Sequence, residues 1–271
     1  MKYSIGVCTS LDRAMIAAGL GAEHIEPAFW PTASLDEQSF AAGVDTLHSS
    51  GLFVDAMNGM LPPSAVLYGT QEEIAPTLDL VRRGMERAAA VGCKTVVFGS
   101  GGARNIPDGM ELSEAKRRIA DMADRFCQIA LPHGIRIAIE PLRAQETNFI
   151  HTLSDAAEIS AMLPNCANLG VNPDIYHMLE GGEPFDELSK LGNRLLHVHI
   201  CAPDRHYPRH DRPEEDHAIY RDFFRALHTA GYRGTLSIEG IVKDMQAELP
   251  TALDILRQAM VEAQSAFETN F

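Results

Sequence analysis

No stretch of the sequence is apolar for long enough to span a membrane, and no secretion-signal core follows the N-terminal Met-Lys-Tyr-Ser-Ile-Gly. A membrane helix needs about 20 consecutive apolar residues. Positive charge is also scarce, because 23 Lys and Arg stand against 37 Asp and Glu, for a formal net charge of −14. Such a surface repels phosphate backbones and anionic lipid. We therefore expect a cytoplasmic protein that binds neither nucleic acid nor membrane.

Cysteine is sparse and scattered. The five cysteines are odd in number and none forms a Cys-x-x-Cys pair, which argues against a disulfide framework, a zinc knuckle or a redox motif. The sequence also lacks a linker rich in Ser, Gly and Pro, and its 45% hydrophobic and 22% charged residues are ordinary for a globular protein. We therefore expect one domain over residues 1–271.

Short apolar runs rich in β-branched residues alternate with longer segments of helical periodicity. In residues 74–91, for example, apolar residues recur every three or four positions. This alternation indicates βαβ units around a parallel sheet. The last helix is predicted over about residues 245–263, and the eight strand-like runs are 3–8, 24–29, 52–57, 94–99, 136–140, 168–172, 195–200 and 235–239.

Eight strands, each followed by a helix, are the number that closes a (β/α)₈ TIM barrel, and the 271 residues suit that fold. A doubly wound open sheet is the structural alternative. It is disfavoured because Thr9-Ser-Leu-Asp-Arg13 follows the first strand where a dinucleotide-binding sheet has a Gly-rich turn. The sequence therefore favours an α/β protein with a single TIM barrel.

Possible metal ligands stand at the ends of four consecutive predicted strands. They are Glu140, Asp174, His199 and Glu239. The active site of a barrel lies at the carboxyl ends of its strands, and this mixed O and N donor set suits Mn²⁺, Mg²⁺, Co²⁺ or Zn²⁺. Any one of them alone is also explained as a solvated loop carboxylate or a core histidine. Four together are harder to explain that way, because buried carboxylates need a cation or a partner.

Four stretches around these residues resemble a known superfamily. The sequence resembles the sugar phosphate isomerase/epimerase superfamily of xylose isomerase-like barrels, and within it the D-tagatose and D-psicose 3-epimerase group. The motifs that carry the resemblance are Ile139-Glu-Pro-Leu-Arg-Ala-Gln-Glu146, Asp174-Ile-Tyr-His177, His197-Val-His-Ile-Cys-Ala-Pro-Asp-Arg205 and Ser237-Ile-Glu239. The resemblance implies one divalent metal ion, Mn²⁺ first, on the same four ligands.

The resemblance also implies a mechanism and a substrate site. Glu140 and Glu239 would be the catalytic bases on opposite faces of an enediolate, while Glu146, His177 and Arg205 would bind the substrate. That substrate would be a small-molecule sugar or sugar phosphate, and the protein a homodimer or homotetramer.

Three further loop features follow early strands. The single tryptophan, Trp30, is interpreted either as an apolar wall against the sugar or as a packing residue. Asn58, Ser100 and Arg104 are candidates for facing the substrate. The Gly-rich segment before Arg104 is a weak phosphate cradle, because it lacks the Lys-Ser/Thr ending of a P-loop.

Other reactions stay open at this point. Pro173, Gly240 and the loop 201–210 depart from the pattern of the resembling group, which leaves substrate identity undecided. A 1,2-aldose-ketose or hydroxypyruvate-type isomerase, an inosose dehydratase-like lyase and a non-catalytic sugar-binding protein are alternatives. An endonuclease IV-like hydrolase is disfavoured by the charge of −14 and by the lack of strand-end His residues on the early strands.

Overall fold

Strands form at all eight predicted runs, each somewhat shorter than its run. The structure is a computed structural model that describes residues 2–211 and 214–268. Within these residues the strands are β1 (Ser4–Cys8), β2 (His24–Glu26), β3 (Phe53–Val54), β4 (Ala56–Met57), β5 (Thr95–Phe98), β6 (Arg136–Ile139), β7 (Leu169–Val171), β8 (Val198–Ile200) and β9 (Thr235–Ile238).

All strand pairs are parallel, in the orders β3-β2-β1-β9-β8 and β4-β5-β6-β7. Isolated bridges join the two sheets on both sides, Ala28 to Asn58 and Val171 to Leu195. The strands therefore close into a ring, as a TIM barrel requires.

The prediction of one continuous third strand is wrong. The run breaks at Asp55, so that β3 pairs with β2 and β4 pairs with β5. The carbonyl oxygen of Asp55 accepts from the backbone N–H groups of Lys94 (2.8 Å) and Thr95 (3.0 Å). Its carboxylate accepts from the Thr235 hydroxyl at 2.8 Å. These bonds hold the chain where it changes partner between the two sheets.

Helices connect the strands and cover the outside of the barrel. The predicted helix 74–91 begins earlier, at Gln71, because Thr70 and Glu73 form a capping box. None of the described helices is both long and apolar enough to cross a membrane. The α-helices are α1 (Ala14–Gly19), α2 (Phe29–Ala33), α3 (Glu37–Ser50), α4 (Gln71–Ala90), α5 (Gly101–Arg104), α6 (Leu112–Ala130), α7 (Leu153–Ala161), α8 (Ile175–Glu180), α9 (Glu214–Thr229) and α10 (Met245–Glu268).

One side of the barrel interior is polar, whereas barrel interiors are usually filled by Val, Ile and Leu. Glu26 on β2 bonds to His199 on β8, although β1 and β9 lie between these strands in the sheet. The contact therefore crosses the interior. Lower in the barrel, His24 lies between the hydroxyls of Ser4 and Ser237, at 3.2 Å from each. We call these side chains the polar column, and it ends at the carboxyl ends of the strands. Its members are Ser4, His24, Ser237, Glu26 and His199.

Candidate metal centre

The structure brings the four predicted ligands together. Glu140 follows β6, Asp174 follows β7, His199 lies in β8 and Glu239 follows β9. One donor atom from each lies within 4.8 Å of the others. Neighbouring parallel strands end at the same rim, so residues scattered over 100 positions of sequence converge there.

Glu140 is positioned by its neighbours on both sides. Its Oε1 lies 2.8 Å from His199 Nδ1 and accepts from Asn172 Nδ2 at 3.0 Å. Its Oε2 lies so close to Gly99 that a Cβ at residue 99 would lie 2.3 Å away. A residue larger than glycine at position 99 would displace the carboxylate from the cluster.

Glu239 is the more exposed of the two glutamates predicted to bind the metal. Its side chain is 23% exposed, against 7% for Glu140. Asn58 Nδ2 donates to Glu239 Oε1 at 2.8 Å, and Glu239 Oε2 lies 3.4 Å from His199 Nδ1. Asn58, a candidate for facing the substrate, therefore orients a predicted ligand.

Charge is crowded in this cluster. Burial, together with the carboxylates of Glu140 and Glu239, raises the pKa of Asp174 to about 8. Burial also raises the pKa of Glu239. Burial acts in the same direction on Glu140, but His199, with further contributions from His177 and Arg104, lowers the pKa of that carboxyl. Burial opposes the charged form of His199, but Glu26, Glu239 and Glu140 raise its pKa well above the usual value. Three carboxylates around one imidazole are a donor set that fits a divalent cation.

Glu26 lies beneath the cluster and was not among the predicted site residues. It is fully buried, and its two carboxylate oxygens accept from His197 Nε2 at 2.7 Å and His199 Nε2 at 2.9 Å. Burial alone would raise its pKa, but the two imidazoles hold it well below the usual value. The signal in the sequence was an acidic residue inside the apolar run 24–29.

Glu146 and Arg205, both predicted to bind substrate, form an ion pair with each other. Arg143 also binds Glu146, at 2.9 Å. The guanidinium groups of Arg143 and Arg205 lie 5.0 and 4.9 Å from the centre of the Tyr176 ring. Arg205 has a positive φ of 65°, a strained conformation that is concentrated at functional sites. Arg143 and Tyr176 extend the predicted set.

His177 directs a free donor toward the cluster. It is 2% exposed, and its Nδ1 accepts from the Arg143 backbone N–H at 3.3 Å. The hydrogen of the neutral ring is therefore on Nε2, which has no hydrogen-bond partner among the described residues and lies 3.7 Å from Asp174 Oδ2. Burial lowers the pKa of His177 to about 4, so the ring is neutral at pH 7.

Three other candidates occupy different positions. Trp30 lies in the first turn of α2, is 37% exposed and packs against Gly59. Arg104 is fully buried and donates to the carbonyl oxygen of Phe98 at 3.1 Å, and its contact with substrate stays a prediction. The Ser100 hydroxyl accepts from the Leu61 backbone N–H at 3.0 Å and connects two loops.

Comparison with known proteins agrees with this geometry. Residues 15–259 match the family model described as the xylose isomerase-like TIM barrel. The chain belongs to that family. Among curated relatives of this xylose isomerase-like barrel is fructoselysine 3-epimerase of Escherichia coli O157:H7, 26% identical over 129 residues. The match takes in 45% of this chain and 44% of that enzyme, so the chain spans less than half the length of the curated relative.

Solved structures of low identity share the fold. The 3-keto-D-glucoside 4-epimerase of E. coli superimposes with a TM-score of 0.80 at 20% identity, over 95% of this chain and 100% of that one. D-psicose 3-epimerase of Clostridium cellulolyticum H10, solved with D-tagatose, gives 0.81 at 15% identity, over 95% and 99%. The predicted barrel and the predicted superfamily are both confirmed.

Proposed function

We propose that this xylose isomerase-like barrel is a divalent-metal-dependent ketose 3-epimerase. The observation that carries the proposal is the placement of Glu140 and Glu239, two carboxylates from different strands, beside one imidazole in one cluster. Epimerisation requires one group to remove a proton and another to return one on the opposite face. The 3-epimerase activity of the curated relative agrees with this reading.

We propose that Glu140, Asp174, His199 and Glu239 hold the cation. Three hard carboxylate donors with one imidazole favour Mn²⁺, with Mg²⁺, Co²⁺ and Zn²⁺ as alternatives. A cation bound there supplies Lewis-acid polarisation of a substrate carbonyl, which makes the neighbouring C–H acidic.

The protein's own groups then move the proton. Glu239 Oε2 and Glu140 Oε2 are the carboxylate oxygens that do not accept from Asn58 and Asn172. In the proposal one of them takes the proton from the substrate carbon and the other delivers one to the far face of the planar enediolate.

The surrounding polar groups orient the sugar. His177 Nε2–H is a free, buried donor for a carbonyl or neighbouring oxygen. Arg205 and Glu146 supply a donor and an acceptor from the facing loops. The Tyr176 ring, between two guanidinium groups, keeps Arg205 in place. Trp30, whose side chain is partly exposed, would form an apolar wall against the sugar.

The end of the substrate remote from the cluster has a cavity without cationic groups in which to bind. A cavity of about 230 Å³ lies at the ends of β1 and β2, between the cluster and the start of α2. Its lining has hydroxyl, thiol, amide and carboxylate groups and no Lys or Arg: Cys8, Thr9, Ser10, Glu26, Ala28, Pro31, Thr32 and Asn58. Such a lining suits the hydroxyls of an unphosphorylated sugar, because a phosphate would lack a cationic partner there.

We expect Mn²⁺-loaded protein to epimerise an unphosphorylated ketose at C3 and to turn over the matching ketose phosphate poorly. The measurement is a screen of free and phosphorylated ketoses in D₂O, with products followed by NMR. Deuterium at C3 of the epimer supports the proposal. An aldose product would indicate the 1,2-isomerase alternative and a dehydrated product the lyase. Preferred turnover of the phosphate would contradict the proposal of an unphosphorylated substrate.

Arg205→Ala is expected to lower kcat/KM by about 10- to 150-fold, the equivalent of about 1.5 to 3 kcal/mol for a hydrogen bond to a charged group. Metal content should not change, because Arg205 contacts Glu146 rather than the proposed ligands. Arg209→Ala is the matched control, since Arg209 lies in the same loop and pairs with Asp204. Loss of metal in Arg205→Ala, or equal kinetic loss in both variants, would contradict the assignment.

A further inference from the structure

Glu26 joins two histidines that the sequence places 171 and 173 residues away. Its carboxylate is fully buried, as are both rings. A carboxylate oxygen only accepts, so the Nε2 atoms of His197 and His199 both carry hydrogen in these bonds. In His199 this leaves Nδ1 as the nitrogen that can offer a lone pair.

Nδ1 of His199 is also the atom that faces the proposed ligands, at 2.8 Å from Glu140 Oε1 and 3.4 Å from Glu239 Oε2. The ring is therefore held at one nitrogen by a buried anion and presented to the cluster by the other. A metal-bound imidazole whose second N–H donates to a carboxylate is fixed in orientation and made a stronger ligand.

The polar column continues past Glu26. His197 Nδ1 lies 3.2 Å from the Thr235 hydroxyl, and that hydroxyl donates to Asp55 at 2.8 Å. Asp55 is the residue at which the third strand changes partner. Glu26 is thus held at both oxygens by groups anchored to the barrel wall, so that it has little freedom to turn away from His199.

We propose that Glu26 is a positioning residue that sets the tautomer and orientation of His199 and thereby tunes the affinity of the metal site. This inference rests on the metal site of the proposed function. It does not depend on which sugar is turned over, since its consequence is read in metal binding.

Two substitutions separate the charge of Glu26 from its hydrogen bond. Glu26→Leu is similar in size but removes both acceptors. Glu26→Gln keeps one acceptor for His199 Nε2–H, since its amide oxygen can stay on that side. Its NH₂ group would then face His197 Nε2, and the His197 hydrogen can move to Nδ1 and donate to the Thr235 hydroxyl. We expect the Kd for Mn²⁺ to rise by about 10- to 100-fold in Glu26→Leu, and by less in Glu26→Gln.

Competition with a chelator measures these Kd values, and the visible absorption spectrum of the Co²⁺-loaded protein reports the ligand geometry. Ser4→Ala is the matched control. It removes a hydrogen bond to His24 inside the same barrel without touching Glu26, and its Kd and Co²⁺ spectrum should equal those of the wild type. A wild-type Kd in Glu26→Leu, or an equal rise in Ser4→Ala, would overturn the proposal.

A measurement on the wild-type protein covers the case in which Glu26→Leu fails to fold. Long-range ¹H–¹⁵N NMR of Zn²⁺-loaded protein labelled with ¹⁵N-histidine should show His199 with hydrogen on Nε2, the signal being assigned by its absence in His199→Gln. Hydrogen on Nδ1 would overturn the proposal. If the wild type binds one ion but epimerises no ketose, only the proposed function fails, and if it binds none, the metal site itself fails.

Discussion

Glu239→Gln is expected to slow epimerisation by about 10²- to 10⁴-fold, the contribution of a positioned general base, while the protein folds and retains some metal affinity. Glutamine keeps the oxygen that accepts from Asn58, but it cannot take a proton. Glu140 remains able to remove and return a proton on its own face of the substrate. One epimer should therefore gain deuterium at C3 in D₂O without inverting, and the other should not exchange.

NMR of each epimer incubated separately in D₂O checks this result. Glu262→Gln is the control, because Glu262 is a partly exposed carboxylate that pairs with His217 and Arg221, and it should epimerise at the wild-type rate. Near-normal epimerisation by Glu239→Gln, or deuterium exchange into both epimers, would rule out the assignment of Glu239 as one of two bases.

His199→Ala and Asp174→Asn should each remove the bound metal. The wild type is expected to hold one Mn²⁺ per chain and to melt at a higher temperature when Mn²⁺ is added, since an ion at 1,000 times its Kd stabilises the folded state by about 4 kcal/mol. Elemental analysis and thermal melts with and without Mn²⁺ measure both effects. In the two variants the metal content and the rise in Tm should be lost.

The metal-free variants provide a further check. Burial and the carboxylates of Glu140 and Glu239 raise the pKa of Asp174 to about 8, so the metal-free side chain is mostly neutral at pH 7. A neutral Asn keeps the oxygen that accepts from the Tyr176 backbone N–H and changes little charge. Metal-free Asp174→Asn should melt no lower than the metal-free wild type, and Glu262→Gln should keep the full response to Mn²⁺. Unchanged metal content in both His199→Ala and Asp174→Asn would rule the site out.

The alternation of short apolar runs with segments of helical periodicity was sufficient to predict the barrel. Parallel strands that alternate with helices bury both faces of the sheet, so each strand appears as a short continuous apolar run. The ends of those runs placed Glu140, Asp174, His199 and Glu239 at one rim. Each position depends only on where a strand stops, which is a local property of the sequence.

Only the tertiary structure showed what lies across the barrel. In the sequence, Glu26 is only an acidic residue in a strand. It bonds to His197 and His199 because these side chains, from strands separated by β1 and β9, all point into the barrel interior. The break at Asp55 likewise depends on bonds from Lys94 and Thr95. The sequence by itself determined the order of the strands and the residues at their ends. Which side chains meet inside the ring depends on how the strands are staggered around it, and no local pattern encodes that stagger.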